Sequence, residues 1–269
     1  MVRIGVVGCA GRMGQMLVRE IAATPGATLG GGTERPGAAG VGRDIGHLAG
    51  LDPLGVTAGD DPVPLFASCD VVIDFTSPAA TMTHAALAAA QGKALVVGTT
   101  GLDASQRQAL EAAAEKAPIV FAPNFSLGVT LLSAIVEDVA RRLSEEWDIE
   151  IVEMHHRHKV DAPSGTALGL GRAAARGRGV ELDAVSDRVR DGHTGARQPG
   201  NIGFATLRGG DVVGDHTVIF AAEGERLELT HKAASRTIFA RGAVRAALWA
   251  ANRAPGLYDM DDVLGLKRG

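Results

Sequence analysis

Cysteine is scarce in this chain, with Cys9 and Cys69 the two among 269 residues. They lack a metal-type spacing and are too few to staple a chain of this size with disulfides. A disulfide framework is therefore excluded, and a reducing cytoplasm is the expected setting. Aromatics are thin as well, at 4%, which leaves little to stack on unpaired bases and argues against nucleic acid as a partner. Neither sign of charge prevails: 27 basic against 31 acidic residues give a net charge of -4, so no overall field steers the chain toward nucleic acid or anionic membrane. No apolar run approaches the roughly 18 residues of a membrane span. The opening Met-Val-Arg-Ile-Gly-Val-Val enters a strand pattern directly, without a charged, apolar and cleavable leader. The expectation is a soluble, untargeted protein with no membrane partner, whose cationic sites are local.

What the chain does contain is 46% hydrophobic side chains and 36 glycines over 269 residues, long enough for two domains, or one large one, with a substantial core. Ile4, Val6 and Val7 form a short buried strand that runs into Gly8-Cys9-Ala10-Gly11-Arg12-Met13-Gly14, after which Met16, Leu17 and Ile21 recur at helical spacing. Strand, glycine turn and helix in that order let a pyrophosphate approach backbone N–H groups and the positive end of the helix, where bulkier side chains would block it. The spacing is G-x-x-G-x-x-G rather than the commoner G-x-G-x-x-G, so a purely structural turn stays open on this pattern alone. A second strand, Ala27 to Thr33, ends at Glu34, where a dinucleotide site places the acid for a ribose hydroxyl; the adjacent Arg35 suits a 2'-phosphate. The pair is compatible with NADH or NADPH.

Residues 36 to 61 are rich in Gly, Pro and Asp and read as a loop-dominated insertion. Alternation then resumes with strands at Val71 to Phe75, Ala94 to Val97 and Ile119 to Ala122 and helices at Pro78 to Ala90 and Ala104 to Lys116. Such alternation predicts a doubly wound parallel sheet, Rossmann-like, with ligands at the carboxyl ends of its strands. Those ends are Thr76-Ser77, Gly98-Thr99-Thr100-Gly101 and Pro123-Asn124-Phe125-Ser126, small and polar as helix caps or loops also are. Beyond Ser126 the pattern changes. A helix at Leu127 to Leu143 is followed by strands at Ile149 to Met154, Ile202 to Leu207, Thr217 to Ala222 and Arg226 to Thr230, the last two joined by Glu223-Gly224-Glu225. Arg172 to Arg178 reads as a solvated helix end, and a final helix spans Ile238 to Trp249. The fold class is α/β, with an α+β C-terminal domain carrying an open mixed sheet: residues 1–126 bind dinucleotide, 127–236 bind substrate and oligomerise, and 237–269 return to the first domain.

Five consecutive residues, His155 to Lys159, carry imidazole, guanidinium or ammonium groups with no acid among them. The apolar phase slips between Ile151 and Val152, so the strand that leads into them is expected to be bulged or buried on both faces. Continued pleating would put His155, Arg157 and Lys159 on one side and His156 and His158 on the other. After Pro163, Ser164 can cap a helix beginning near Gly165, leaving the Gly165 and Thr166 N–H groups to receive an anion. One carboxylate there and a second at Lys159 or His156 would make the loop a receptor for a small dicarboxylate. A zinc site from His155, His156 and His158 is disfavoured, because adjacent residues do not converge and no nearby Cys completes it; no metal is expected. A solvated basic loop stays open, although five neighbouring cations repel one another and beside a helix N-terminus favour an anion.

Several motifs together resemble the 4-hydroxy-tetrahydrodipicolinate reductase (dihydrodipicolinate reductase) family. They are Gly8-x-x-Gly11-Arg12-Met13-Gly14, Asp74-Phe75-Thr76, Gly98-Thr99-Thr100-Gly101, Asn124-Phe125-Ser126 and, most discriminating, Glu153-x-His155-His156-Arg157-His158-Lys159-x-Asp161-Ala162-Pro163-Ser164-Gly165-Thr166-Ala167. Gly192-His193-Thr194-Gly195, Gly203-Phe204-Ala205, Gly214-Asp215-His216-Thr217 and Thr230-His231-Lys232-Ala233 extend the likeness over nearly the whole chain. The resemblance implies an NAD(P)H-dependent reductase of the diaminopimelate route to lysine, assembled as a homotetramer through the second domain. It implies His155 as general acid/base, Lys159 as proton donor or substrate-orienting cation, and His156, Ser164, Gly165, Thr166 and Arg236 as substrate contacts. The implied cofactor set is Gly8, Cys9, Ala10, Gly11, Arg12, Met13, Glu34, Arg35, Gly98, Thr99, Thr100, Ala122, Pro123, Asn124 and Phe125. Pro123 stands where many relatives carry a smaller residue and offers no N–H to a cofactor. Another NAD(P)-dependent reductase of small dicarboxylates, such as an aspartate dehydrogenase-like enzyme, and a non-catalytic nucleotide-sensing protein are the competing readings.

Overall fold

The computed structural model describes Met1–Lys267. Numbered along the chain, its elements are β1 (Val2–Val7), α1 (Arg12–Ala23), β2 (Ala27–Thr33), α2 (Ile45–Leu48), α3 (Pro62–Ser68), β3 (Val71–Asp74), α4 (Pro78–Gln91), β4 (Ala94–Val97), α5 (Ala104–Ala114) and β5 (Pro118–Phe121). There follow α6 (Leu127–Arg142), β6 (Asp148–His155), α7 (Gly165–Arg178), α8 (Leu182–Val185), β7 (Ser186–Asp187), β8 (Ile202–Arg208), β9 (Gly214–Ala222), β10 (Glu225–Ala233), α9 (Thr237–Ala250), β11 (Gly256–Tyr258) and α10 (Met260–Leu264). The chain forms two compact units, one of residues 1–126 together with the segment from Thr237 onward, the other of Leu127–Arg236.

The first unit is built on a six-stranded parallel sheet in the order β11-β5-β4-β3-β1-β2. Val71, Val72, Ile73, Leu95, Val96 and Val97 are fully buried, as continuous apolar strands covered on both faces must be. Local chemistry sets the helix starts. Asp61, Ser77 and Asp103 each accept a first-turn backbone N–H, and Pro stands at the start of α3 and α4. Helix α9 packs against α1 and against β3, β4 and β5, burying Ala240, Ala243, Val244, Ala246, Ala247 and Ala250. The 36–61 stretch, expected to be loop, contains α2 and is pinned to the sheet edge. Isolated bridges join Thr33 to Gly59 and Asp44 to Thr57, and the Asp44 carboxylate accepts from the backbone of His47, Leu54 and Gly55. Short α3, β11 and α10 carry too few residues to show a period in the sequence.

The second unit pairs a five-stranded mixed sheet, β10-β9-β6-β8-β7, with α6 and α7 on one face. Its core is Ile149, Ile151, Ile202, Phe204, Val218 and Phe220 against Leu132, Val136, Leu170 and Ala174. The first strand of this unit has neither the bulge nor the burial on both faces expected as alternatives: it pairs with β8 and β9 in continuous register. Strand β6 alternates regularly from intermediate to buried over Asp148–His155, so Val152 lies on the face away from the helices while Ile149, Ile151, Glu153 and His155 face them. Sequence reasoning took two adjacent apolar residues for a slip because the inward positions after Ile151 are polar. Helices α6 and α7 come close at Gly177, where a Cβ would stand 2.4 Å from Glu137 O. The Arg172 to Arg178 stretch is the end of α7 and is solvated only in part: Arg172 and Arg176 are exposed, whereas Ala173 and Ala174 are fully buried and Arg178 donates to the carbonyls of Ser144 and Trp147. Turn Glu223-Gly224 closes β9 onto β10, with Gly224 in the left-handed region (φ 82°).

Candidate active site

In the parallel unit the strand order reverses between β1 and β3, and their carboxyl ends meet there. A Cβ on Gly8 would stand 3.1 Å from Thr76 Cγ2. Crevices at such reversals are where open α/β sheets hold ligands. The three motif glycines do different jobs. Gly8 has φ 69° and turns the chain. A Cβ on Gly14 would fall 2.1 Å from Gly8 O, so this glycine lets α1 pack onto the turn rather than making way for a ligand. The turn is fastened to β2: the N–H groups of Gly8 and Cys9 donate to Thr33 O at 2.7 and 3.1 Å, and Ala10 N–H donates to Glu34 Oε1 at 2.7 Å. Gly11 caps α1 without a side-chain bond, so the first-turn N–H groups at Arg12 and Met13 present the positive end of the helix.

Other residues of the expected cofactor set gather on the same carboxyl edge, with varied accessibility. Cys9 is fully buried and Phe125 is 1% exposed, so each can offer a ligand its backbone but not its side chain. Burial, then the Glu34 charge, pushes the Cys9 thiol up to about 11. The Thr99 hydroxyl is engaged with Thr76 N–H at 3.1 Å and the Thr81 hydroxyl at 2.9 Å. Phe125 packs on Phe75 at 5.3 Å, and Asn124 Oδ1 accepts Ser126 N–H. Arg12, Arg35, Thr100 and Pro123 are exposed; Met13, Glu34 and Gly98 are half-buried; Ala122 is buried.

Beneath this edge lies a pair that sequence reasoning did not single out. Asp74, fully buried, meets His84 Nδ1 at 2.8 Å and accepts from Thr76 N–H at 2.9 Å and the Thr76 hydroxyl at 2.6 Å. Burial would raise its pKa, but the bonds from His84 and the threonines prevail and hold the carboxyl below its ordinary value. The ten-residue separation along the chain hid the pairing.

In the second unit the basic run leaves strand geometry after His155. His156 N–H donates to Val212 O at 2.7 Å, Lys159 N–H closes onto His156 O at 3.1 Å, and the loop apex at Val160 is 98% exposed. The five cations, acid-free in sequence, are not acid-free in space. His155 Nδ1 lies 2.6 Å from Glu153 Oε2, and Lys159 Nζ donates to Asp161 Oδ1 at 2.8 Å. His156 Nε2 lies 3.4 Å from Arg236 Nη2, which brings Arg236 to the loop from 80 residues away. Burial, then Arg236, lowers the His156 pKa. Arg157 and His158 are exposed.

Ser164, 2% exposed, caps α7 by accepting Ala167 N–H at 3.1 Å. Gly165 and Thr166 form the first turn, and the space a Cβ on Gly165 would take is open for 4 Å. Behind them is a buried network missed in the sequence. Glu153, 1% exposed, receives the Arg208 fork at 2.8 and 2.9 Å and Ser164 N–H at 3.1 Å. Burial would raise its pKa; the Arg208 and His155 bonds outweigh this and keep it ionised. His216, 3% exposed, lies edge-on to His155 with ring centroids 5.1 Å apart, and its Nε2 is 2.9 Å from Ser164 Oγ. Burial, then the neighbouring His155, pushes its pKa down to about 4. Glu153 heads the histidine motif, and two residues before His155 on a strand it must share the face of that histidine; its Arg208 partner had no such signal.

Comparison with known proteins agrees with this architecture. The family models for the N-terminus and C-terminus of dihydrodipicolinate reductase match residues 2–125 and 128–264. A 4-hydroxy-tetrahydrodipicolinate reductase of Rhizobium rhizogenes is 57% identical over 265 residues, 98% of this chain and 97% of that one. The one from Methylocella silvestris is 58% identical over 264 residues, with 98% and 97% covered. Among solved structures, dipicolinate-bound dihydrodipicolinate reductase from Paenisporosarcina sp. TG-14 superposes with a TM-score of 0.76 at 25% identity, covering 96% and 97% of the two chains. With both halves matched in order and curated relatives aligned nearly end to end, the chain belongs to the dihydrodipicolinate reductase family.

Proposed function

We propose that this protein reduces 4-hydroxy-tetrahydrodipicolinate to tetrahydrodipicolinate, with loss of water, in diaminopimelate and lysine biosynthesis. The observation that carries the reading is the His155–Lys159 loop, which sets a carboxylate-backed imidazole and an ammonium beside the capped start of α7. The residues of the first unit fit a dinucleotide. The left-handed turn at Gly8, the α1 N-terminus without a side-chain cap and the Glu34 carboxylate at the end of β2 match the needs of a pyrophosphate and a ribose. Bound NADH or NADPH would supply the hydride. Glu34 suits a free ribose hydroxyl and exposed Arg35 a 2'-phosphate, so we assign both nucleotides as acceptable.

Hydride addition to a conjugated imine leaves electron-rich centres that must take a proton. His155 is assigned that proton transfer through Nε2, its Nδ1 being committed to Glu153. Lys159 supplies positive charge to the substrate and the developing anion, exchanging its Asp161 partner for a substrate carboxylate. His156, Arg236 and the first turn of α7 at Ser164, Gly165 and Thr166 receive the carboxylates of a small dicarboxylate. The homotetramer is proposed on the face of the second sheet opposite α6 and α7, where Val152, Met154 and Ile219 are half-buried and Leu207 is 49% exposed. Residence in the cytoplasm agrees with two free cysteines. The test is a coupled assay in which aspartate semialdehyde, pyruvate and the preceding synthase generate substrate, with NADH and NADPH compared. Oxidation of either nucleotide that depends on the synthase is expected. In His155→Ala and Lys159→Ala, kcat should drop by about two orders of magnitude while NAD(P)H affinity holds; folded variants with unchanged turnover would sink the assignment.

A further inference from the structure

Strand β6 spends two inward positions, in line with core residues Ile149 and Ile151, on Glu153 and His155. A carboxylate there is strongly disfavoured unless every lone pair is used. Both oxygens of Glu153 are doubly occupied. Oε2 accepts Arg208 Nη1 and faces His155 Nδ1; Oε1 accepts Arg208 Nη2 and Ser164 N–H. One rigid group therefore touches both the imidazole and the start of α7.

We infer that Glu153, clamped by Arg208, is a positioning residue that holds His155 in its Nδ1–H tautomer and in register with the carboxylate-receiving turn of α7. An ionised carboxylate only accepts, so Nδ1 of His155 carries the shared proton and Nε2 is the atom left to exchange one. The carboxylate cannot rotate to release the histidine without also breaking a bond to Arg208 and the bond to Ser164. Two further features confine the ring. His216 stands edge-on to it and is tied through Ser164 Oγ to the same helix cap. Gly214 faces it from β9, where an added Cβ would lie 3.0 Å from His155 Nε2. Arg208 does more than balance charge, because its Nη2 also reaches Asp161 O and so fastens the basic loop to the buried carboxylate. The inference rests on the assignment of His155 as the proton-transferring group.

Glu153→Gln tests it with almost no change in volume. The amide offers a donor where the carboxylate accepted, which favours the opposite, Nε2–H tautomer. Nitrogen-15 NMR of labelled histidines should show His155 as Nδ1–H in the unaltered protein and as Nε2–H in Glu153→Gln. In parallel, kcat should fall about a hundred-fold or more, as when the orienting acid of a catalytic triad is replaced by its amide, with KM for NAD(P)H unchanged. Glu153→Asp, which keeps the charge, should recover part of the turnover. An unchanged His155 tautomer in folded Glu153→Gln, or turnover within three-fold of the parent, overturns the inference. Should that variant not fold, Arg208→Lys keeps the carboxylate but removes the fork. A mixed tautomer signal and lowered kcat are then expected, and no change in either is the overturning result. The two assignments separate cleanly, since unchanged turnover in His155→Ala refutes the catalytic role whereas the tautomer signal reports on Glu153 alone.

Discussion

His216 and Asp74 are buried groups whose pKa values both move down, yet they govern stability in different pH ranges. Burial keeps His216 neutral to about pH 4, while an unfolded histidine takes its proton near pH 6.5. Between those limits the unfolded chain binds the extra proton, so acidification destabilises the native state, by at most about 3 kcal/mol for this group. Asp74 contributes in a lower range. Its carboxyl is depressed by His84 and the threonines despite burial, so its contribution is complete above about pH 3.9 and lost as pH falls through the folded value. His216→Gln should therefore flatten the decline in denaturation midpoint between pH 6.5 and 4, and Asp74→Asn should flatten only the decline below it. Denaturant titrations across pH check both; a wild-type slope in either variant contradicts the assignment. At this scale the sequence revealed which residue types matter in the basic run, but not their partners. Glu153 and Asp161 both stand in the histidine motif, whereas Arg208, 55 residues from Glu153, had no local signal at all.

Helix α1 shows how an element's tolerance depends on what faces it. By intrinsic propensity, Ala in place of Gly14 would favour the helix by about 1 kcal/mol. Its Cβ, however, would lie 2.1 Å from Gly8 O and 2.7 Å from Cys9 Cα, and these backbone atoms do not yield as a flexible side chain would. Overpacking of that kind costs about 1–3 kcal/mol, so Gly14→Ala should lower thermal stability and weaken NAD(P)H binding by about ten-fold or more as α1 is pushed from the turn. Calorimetry and a fluorescence titration measure the two effects; a gain in stability would mean that propensity prevails. Long helices and buried parallel strands were legible because their period repeats. Strand β6 was legible as a strand, but its facing was not, because Glu153 and His155 occupy inward positions and that polarity hid which face turns to the core.

Over the whole molecule, the last stretch of chain completes the first unit. Helix α9 buries Ala240, Ala243, Val244 and Ala247, and β11 adds an edge strand beside β5. A chain ending at Arg236 would expose those faces of α1 and the sheet, so it should yield no folded first unit; NAD(P)H binding and cooperative melting of that unit should both be lost. Retention of either by the shortened chain would show that the first 126 residues suffice. The doubly wound sheet, the glycine turn, the acid at the end of β2 and the cationic loop before a capped helix were determined by sequence alone. Each depends on residues within one or two elements, where periodicity, turn geometry and spacing operate. Only the tertiary structure decided that the cations have carboxylate partners, that Gly14 serves packing, and that Asp74 and Glu153 are buried and ionised. Those facts depend on residues far apart in sequence and on exclusion of water, and neither is written in any local stretch of chain.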